Sequence, residues 1–167
     1  MIYNPLTAPQ ISDKCFEPLL TLFFNCSDCF SLTLSKFHLL KSDAQIALSP
    51  FQIGSFATID WFCYHTTEEN PLTILIYKTD EAAKNILLKY YQNLFLNTSD
   101  KTDISNRQNL EDLCFFSNGK LILGTVSHEY ICHIYPPSGE IKQRIEAIYD
   151  KWEMRETNSM IDLHMYM

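Results

Sequence analysis

Glycine is scarce in this chain, which has only four glycines among its 167 residues. Nucleotide-binding loops of the G-x-G-x-x-G type need glycines where the backbone approaches a phosphate, and the four glycines here do not have that spacing. The chain also has no G-x-S-x-G sequence, which would hold a serine nucleophile on a sharp turn. Because both patterns are missing, we expect that this protein is not an enzyme.

Long apolar runs are missing as well. No run reaches the roughly 18 residues that a transmembrane helix needs. The first residues do not combine a basic segment with an apolar one, so the sequence does not predict a signal peptide. We therefore expect a cytoplasmic protein that has no membrane partner and keeps its six cysteines as thiols.

Basic residues are outnumbered by acidic ones. The chain has 13 Lys and Arg against 20 Asp and Glu, which gives a net charge of −7. An acidic chain repels phosphate backbones, so direct binding of nucleic acid is not expected. The content of 46% apolar and 20% charged residues is typical of a globular protein. The length predicts a single domain, residues 1–167, with one substantial core.

The hydrophobic pattern predicts about three helices. Apolar residues recur at helical spacing over residues 16–24, after Asp80 and after Ser138. Aspartate and serine are favoured N-cap residues because their side chains accept a hydrogen bond from a free backbone N–H. The segment 42–55 is ambiguous, since Ser42 is also suited to open a short helix.

Alternating or β-branched segments predict an antiparallel sheet of about five to six strands. The predicted strands are residues 30–37, 56–65, 71–78, the two halves of 113–126, and 129–135. Asn118 and Gly119 supply the positive φ angles of a type I′ turn in the middle of 113–126. Residues 97–109 are polar and predict a long loop, and the apolar tail 160–167 is expected to dock as an edge strand. Helices packed on one antiparallel sheet form an α+β fold.

Two of the cysteines, Cys26 and Cys29, form a C-x-x-C pair. A structural zinc site would need a second pair or distant single ligands. A redox dithiol would precede a helix whose N-terminus lowers the thiol pKa, whereas this pair follows the helix predicted for 16–24. We interpret the two cysteines as residues of a helix-to-strand turn, and we expect no metal and no cofactor. The other four lie among apolar neighbours and are expected to be buried: Cys15, Cys63, Cys114 and Cys132.

The stretch from His128 to His133 resembles a zinc-protease signature only superficially. That signature needs two histidines four residues apart on one helix. Here the histidines are five residues apart, and the segment alternates like a strand. We therefore interpret them as ordinary histidines of a strand.

Acidic residues gather in the connections between predicted elements. The candidate partner-binding residues are Glu68, Glu69, Asp100, Asp103, Glu111 and Asp112. Loop acids are commonly just solvated, but an acidic face on a small domain also steers a basic partner protein towards it.

A small acidic α+β chain without a catalytic motif resembles the immunity proteins of bacterial toxin systems, including contact-dependent growth inhibition. The segment 115–137, FFSNGKLILGTVSHEYICHIYPP, is similar in style to those families. The resemblance implies a cognate basic toxin domain as partner, often a nuclease, whose active site the immunity protein occludes. Two alternatives stay open: a regulatory or adaptor domain that binds a small ligand or a protein, and a metal-dependent enzyme that uses the scattered Cys and His residues.

Overall fold

Antiparallel strands form the centre of this protein. The computed structural model describes residues 6–7, 11–35, 40–98, 109–154 and 161–167. The strands are β1 (Leu6–Thr7), β2 (Cys29–Leu34), β3 (Gln52–Thr58), β4 (Asp60–Trp61), β5 (Tyr64–His65), β6 (Leu72–Lys78), β7 (Leu110–Ser117), β8 (Lys120–Val126), β9 (Ile131–Ile134) and β10 (Glu153–Met154). Eight of them form one sheet in the order β10-β1-β9-β8-β7-β2-β6-β3, and β4 pairs with β5 alone.

Four helices accompany the sheet in the described part of the chain. They are α1 (Phe16–Cys26), α2 (Asp43–Leu48), α3 (Glu81–Tyr90) and α4 (Gly139–Ile148). The α+β class is therefore confirmed, although the sheet has more strands than the five to six expected. The additional strands, β1 and β10, have only two residues each, and such short pairings leave no periodic signal in the sequence.

The helices begin where the sequence predicts. The Asp80 carboxylate accepts a hydrogen bond from the Ala82 N–H at 2.9 Å, and the Ser138 hydroxyl accepts one from the Ile141 N–H at 3.2 Å. Ser42 caps α2 in the same way, which settles the ambiguous segment as a short helix followed by a strand. These caps satisfy backbone donors that a helix start leaves without an intrahelical partner.

The predicted hairpin 113–126 is confirmed as β7 and β8. Asn118 and Gly119 have φ angles of 50° and 77°, as a type I′ turn requires. Residues 131–134 continue the sheet as β9, which agrees with the strand expected at 129–135.

The segment 56–65 is not the single strand that the sequence predicts. β3 ends at Thr58, and the chain then turns over the sheet as the small hairpin of β4 and β5. Trp61 and Phe62 are 5% and 2% exposed because this hairpin packs them on the sheet. The prediction that Cys63 is buried is wrong, since Cys63 lies at the hairpin tip with a φ angle of 53° and is exposed. Cys15, Cys114 and Cys132 are buried as expected.

The sheet has a hydrophobic core on each face. One core contains the buried side of the helices, with Phe23, Phe30 and Phe115 among its largest residues. The second core lies on the opposite face, beneath the β4–β5 hairpin and the C-terminal segment. The sheet is therefore covered on both faces, which explains why β7 and β8 are buried along almost their whole length.

The C-terminal tail docks on the second core, but not as an edge strand. A single bridge joins Asp162 to Lys120, and residues 163–165 form a 3-10 turn. Leu163 is 5% exposed, and the ring of Tyr166 stacks on Phe56 at 5.2 Å. Two backbone hydrogen bonds, from the Leu121 N–H to Ile161 and from the Leu163 N–H to Gly119, fix the tail together with this packing.

Candidate functional site

The register of the sheet brings several connections to one end of it. Leu34 at the end of β2 lies opposite Thr73 near the start of β6 and opposite Leu110 at the start of β7. Thr58 at the end of β3 lies opposite Leu72. The connections before β6, before β7 and after β3 therefore lie at the same end.

The turn between β8 and β9 lies at this end too, because the start of β7 pairs with the region where β8 ends. Among the described residues, the acids on these connections and strand ends are Asp60, Glu68, Glu69, Glu111, Asp112 and Glu129. We call this region the acidic end.

The acids selected from the sequence have different positions. Glu68 and Glu69 are exposed in the connection between β5 and β6, and Glu111 is half-buried near the start of β7. Asp100 and Asp103 lie outside the described residues. Asp60 and Glu129 also belong to the acidic end, although they are not among the candidate residues predicted from the sequence.

Asp112 is buried, and this corrects its place among the partner-binding residues. It is 5% exposed and has a φ angle of 57°, at an irregularity in the pairing of β7 with β2. The Asp112 N–H donates to the Ser127 hydroxyl at 2.9 Å, and the Ser127 N–H donates to Asp112 Oδ1 at 2.8 Å. A carboxylate enclosed in this way does not present its charge to a docking protein.

Burial also changes the acidity of Asp112. Desolvation is the main cause that raises its pKa to about 6, and the nearby charge of Glu111 acts in the same direction. The hydrogen bonds from Ser127 and the proximity of His128 oppose the rise without cancelling it. The charged form of this carboxylate is therefore disfavoured unless a further positive group approaches it.

Glu111, Asp112 and His128 come together at the acidic end. One ligand atom from each of the three side chains lies within 4.8 Å of the others. His128 belongs to the 3-10 turn Ser127–Glu129, not to a strand as expected, and its ring meets the edge of Tyr64 at 5.6 Å. The Asn-Gly turn was the signal that could have revealed this cluster, because counting outward from it pairs residues 111 and 112 with 126 and 125, close to His128 in the chain.

Tyr130, which follows Glu129 in the chain, is an exposed aromatic residue at the acidic end. It is 52% exposed and has a φ angle of 53° in the turn between β8 and β9. The ring of Phe95 packs against it in an edge-to-face arrangement at 5.2 Å. This contact holds the Tyr130 ring in place while half of the residue faces solvent.

The C-x-x-C pair forms the turn that the sequence predicts. Cys26 is the last residue of α1, Cys29 is the first residue of β2, and the Ser27 hydroxyl donates to the carbonyl of Phe23. Burial, with a smaller contribution from Asp28, raises the pKa of Cys29 to about 11. A reactive thiol needs the opposite shift, so this arrangement does not favour redox chemistry.

A pocket lies at the other end of the sheet, beside the Asn118 turn. Its volume is about 230 Å³, and Ser117, Tyr135 and Pro136 are among its lining residues. Small-molecule sites usually enclose about 300–1,000 Å³. This pocket is therefore a poorer candidate for a functional site than the acidic end.

No family model, curated protein or solved structure matches the chain. Among the described residues, no helix is long and apolar enough to cross a membrane.

Proposed function

We propose that this protein is an immunity protein, which binds a basic toxin domain through the acidic end and covers its active site. The observation that carries the proposal is that several exposed carboxylates and one exposed aromatic residue share this end of the sheet. Asp60, Glu68, Glu69 and Glu129 are all exposed, and Tyr130 lies in the same region.

The charges and the aromatic residue would have separate roles in binding. Exposed carboxylates speed the encounter with a positively charged surface, and salt weakens this effect because the Debye length is about 8 Å at physiological ionic strength. Slow dissociation depends more on a few buried anchors, among which Tyr is common. Tyr130 suits this role, because its contact with Phe95 reduces the side-chain freedom that binding would remove.

The first experiment identifies the partner. We would search for a neighbouring open reading frame that encodes a basic toxin domain. The toxin domain would be co-expressed with this chain, and the two proteins would be purified together. We expect a stable complex in which the toxin's activity is lost. If the neighbouring frame encodes no such domain, or the pair does not associate, the immunity proposal is wrong.

The second experiment locates the binding face. We would change Asp60 to Asn and the three glutamates Glu68, Glu69 and Glu129 to Gln, and measure association by stopped flow at two salt concentrations. Association should become several-fold slower and less sensitive to salt. Tyr130→Ala should mainly accelerate dissociation.

A matched variant controls for net charge. It neutralises four exposed acids outside the acidic end: Glu17, Glu140, Glu146 and Asp150. Both variants change the net charge by the same amount, so only a local effect separates them. Equal slowing by the two sets would show that the acidic end is not the docking face.

A further inference from the structure

We propose that Glu111, Asp112 and His128 bind a divalent transition-metal ion, for which Zn²⁺ is the best match. This site differs from the sequence-based expectation of no metal. It also differs from the proposed docking role of the exposed acids and does not depend on a protein partner.

The separation of the three side chains fits a shared ion after small adjustments. Their ligand atoms lie within 4.8 Å of one another. Zinc–oxygen and zinc–nitrogen bonds of about 2.0–2.2 Å place two ligands of one ion roughly 3–4 Å apart. His128 is exposed and Glu111 is half-buried, so a change of side-chain torsion in these two residues can close the remaining distance.

Asp112 supplies a fixed point for such a site. It is 5% exposed, and the paired hydrogen bonds with Ser127 hold both its backbone and its carboxylate. The donor to Asp112 Oδ1 is the backbone N–H of the residue that precedes His128. Hydrogen bonds that orient a ligand in this way are typical of the surroundings of metal ions in proteins.

Tyr64 of the β4–β5 hairpin packs on His128. Their rings meet edge to face, with the two ring centres 5.6 Å apart. The site therefore uses β7, the turn after β8 and the hairpin that covers the sheet. Because these elements are joined by strand pairing and packing, the three ligands are brought together before an ion arrives.

The kinds of ligand select the class of ion. Imidazole favours Zn²⁺ and its neighbours in the transition series, whereas Mg²⁺ and Ca²⁺ prefer oxygen alone. Two carboxylates balance the charge of a divalent ion. The ion would also offset the cost of burying the Asp112 charge. Three protein ligands leave a coordination position for water or another donor.

The test is metal binding by the purified, untagged full chain. Isothermal titration with Zn²⁺ should show one saturable site, and the Glu111→Gln/His128→Gln variant should lose it. Loss of a direct ligand should weaken binding at least as much as the ~10–100-fold seen when an outer-shell partner is removed. Circular dichroism and thermal unfolding without metal would verify that the double variant is folded. If it is not folded, the single change His128→Gln, at an exposed residue, would replace it in the titration.

A second His–Asp pair provides a matched control. His65 Nδ1 lies 3.9 Å from Asp60 Oδ1 at the same end of the sheet, and both side chains are about three-quarters exposed. This pair is not part of a three-residue ligand cluster among the described residues. The Asp60→Asn/His65→Gln variant should therefore bind Zn²⁺ like the unmodified chain.

Substitution with Co²⁺ identifies the ligands by their spectrum. Binding at the proposed site should give d–d bands without a thiolate-to-cobalt charge-transfer band. The proposal is overturned if the chain shows no saturable Zn²⁺ site, if the control variant loses binding as much as the site variant, or if the thiolate band shows that cysteines hold the ion.

Discussion

Gly124 allows the β4–β5 hairpin to pack on the sheet, and its replacement should loosen that hairpin. A Cβ atom built on Gly124 would lie 2.7 Å from Cδ1 of Phe62, 2.8 Å from Cε1 and 2.9 Å from Cγ. The Phe62 ring is 2% exposed and also contacts the ring of His133 at 5.4 Å. The ring therefore has little room to move unless the hairpin moves with it.

The expected cost of Gly124→Ala follows from this contact. Adding a methyl group to a filled core typically costs about 1–3 kcal/mol. Removing a buried phenylalanine costs about 3–5 kcal/mol, which is the scale of the effect if the Phe62 ring alone is displaced from the core. We expect a decrease of about 2–3 kcal/mol in the free energy of unfolding.

Urea unfolding followed by tryptophan fluorescence measures this change. Trp61 adjoins Phe62 in the chain, so its emission also reports local displacement of the hairpin. Gly139→Ala is the control, because nothing lies within 4 Å of the position that the added methyl group would take at the start of α4. That variant should unfold at the same or a slightly higher urea concentration than the unmodified chain, because replacing glycine with alanine without strain stabilises a protein by about 0.4–1 kcal/mol.

Phe62→Leu in the Gly124→Ala background tests the mechanism. The smaller side chain should return part of the lost stability, so the two changes should show a coupling energy within about 0.5–3 kcal/mol. The reasoning is refuted if Gly124→Ala leaves the unfolding midpoint unchanged, or if the effects of the two changes simply add.

Two further predictions concern acidity and thiols. The pKa of Asp112 is about 6 in the folded chain against an ordinary 3.8. Between these two pH values, with a chelator present, the folded state holds a proton that the unfolded state has released. Stability should therefore decrease as pH rises from about 4 to 6, by at most roughly 3 kcal/mol, and urea titrations of Asp112→Asn should lack this decrease. Changing Cys26 and Cys29 to Ser should cost only about 1–2 kcal/mol and leave metal content unchanged, whereas loss of a stoichiometric ion would show that the pair is a ligand set.

Local chemistry made several features of this protein predictable from its sequence. Asp80 and Ser138 cap helices through contacts with residues two or three positions away. The turn at Asn118 and Gly119 depends on the backbone preferences of those two residues. Because these interactions involve near neighbours in the chain, the α+β class and most element positions followed from pattern alone.

The tertiary structure decided which neighbours distant segments would have. Trp61 and Phe62 fit a strand pattern equally well, but both side chains pack in the second core, against apolar residues of β6, β7 and β8. Glu111 and Asp112 look alike as loop acids, yet strand pairing encloses Asp112 and brings both to His128. A carboxylate's role as surface charge or buried ligand depends on which chain segments exclude water from it, and in this protein those segments lie far apart in the sequence.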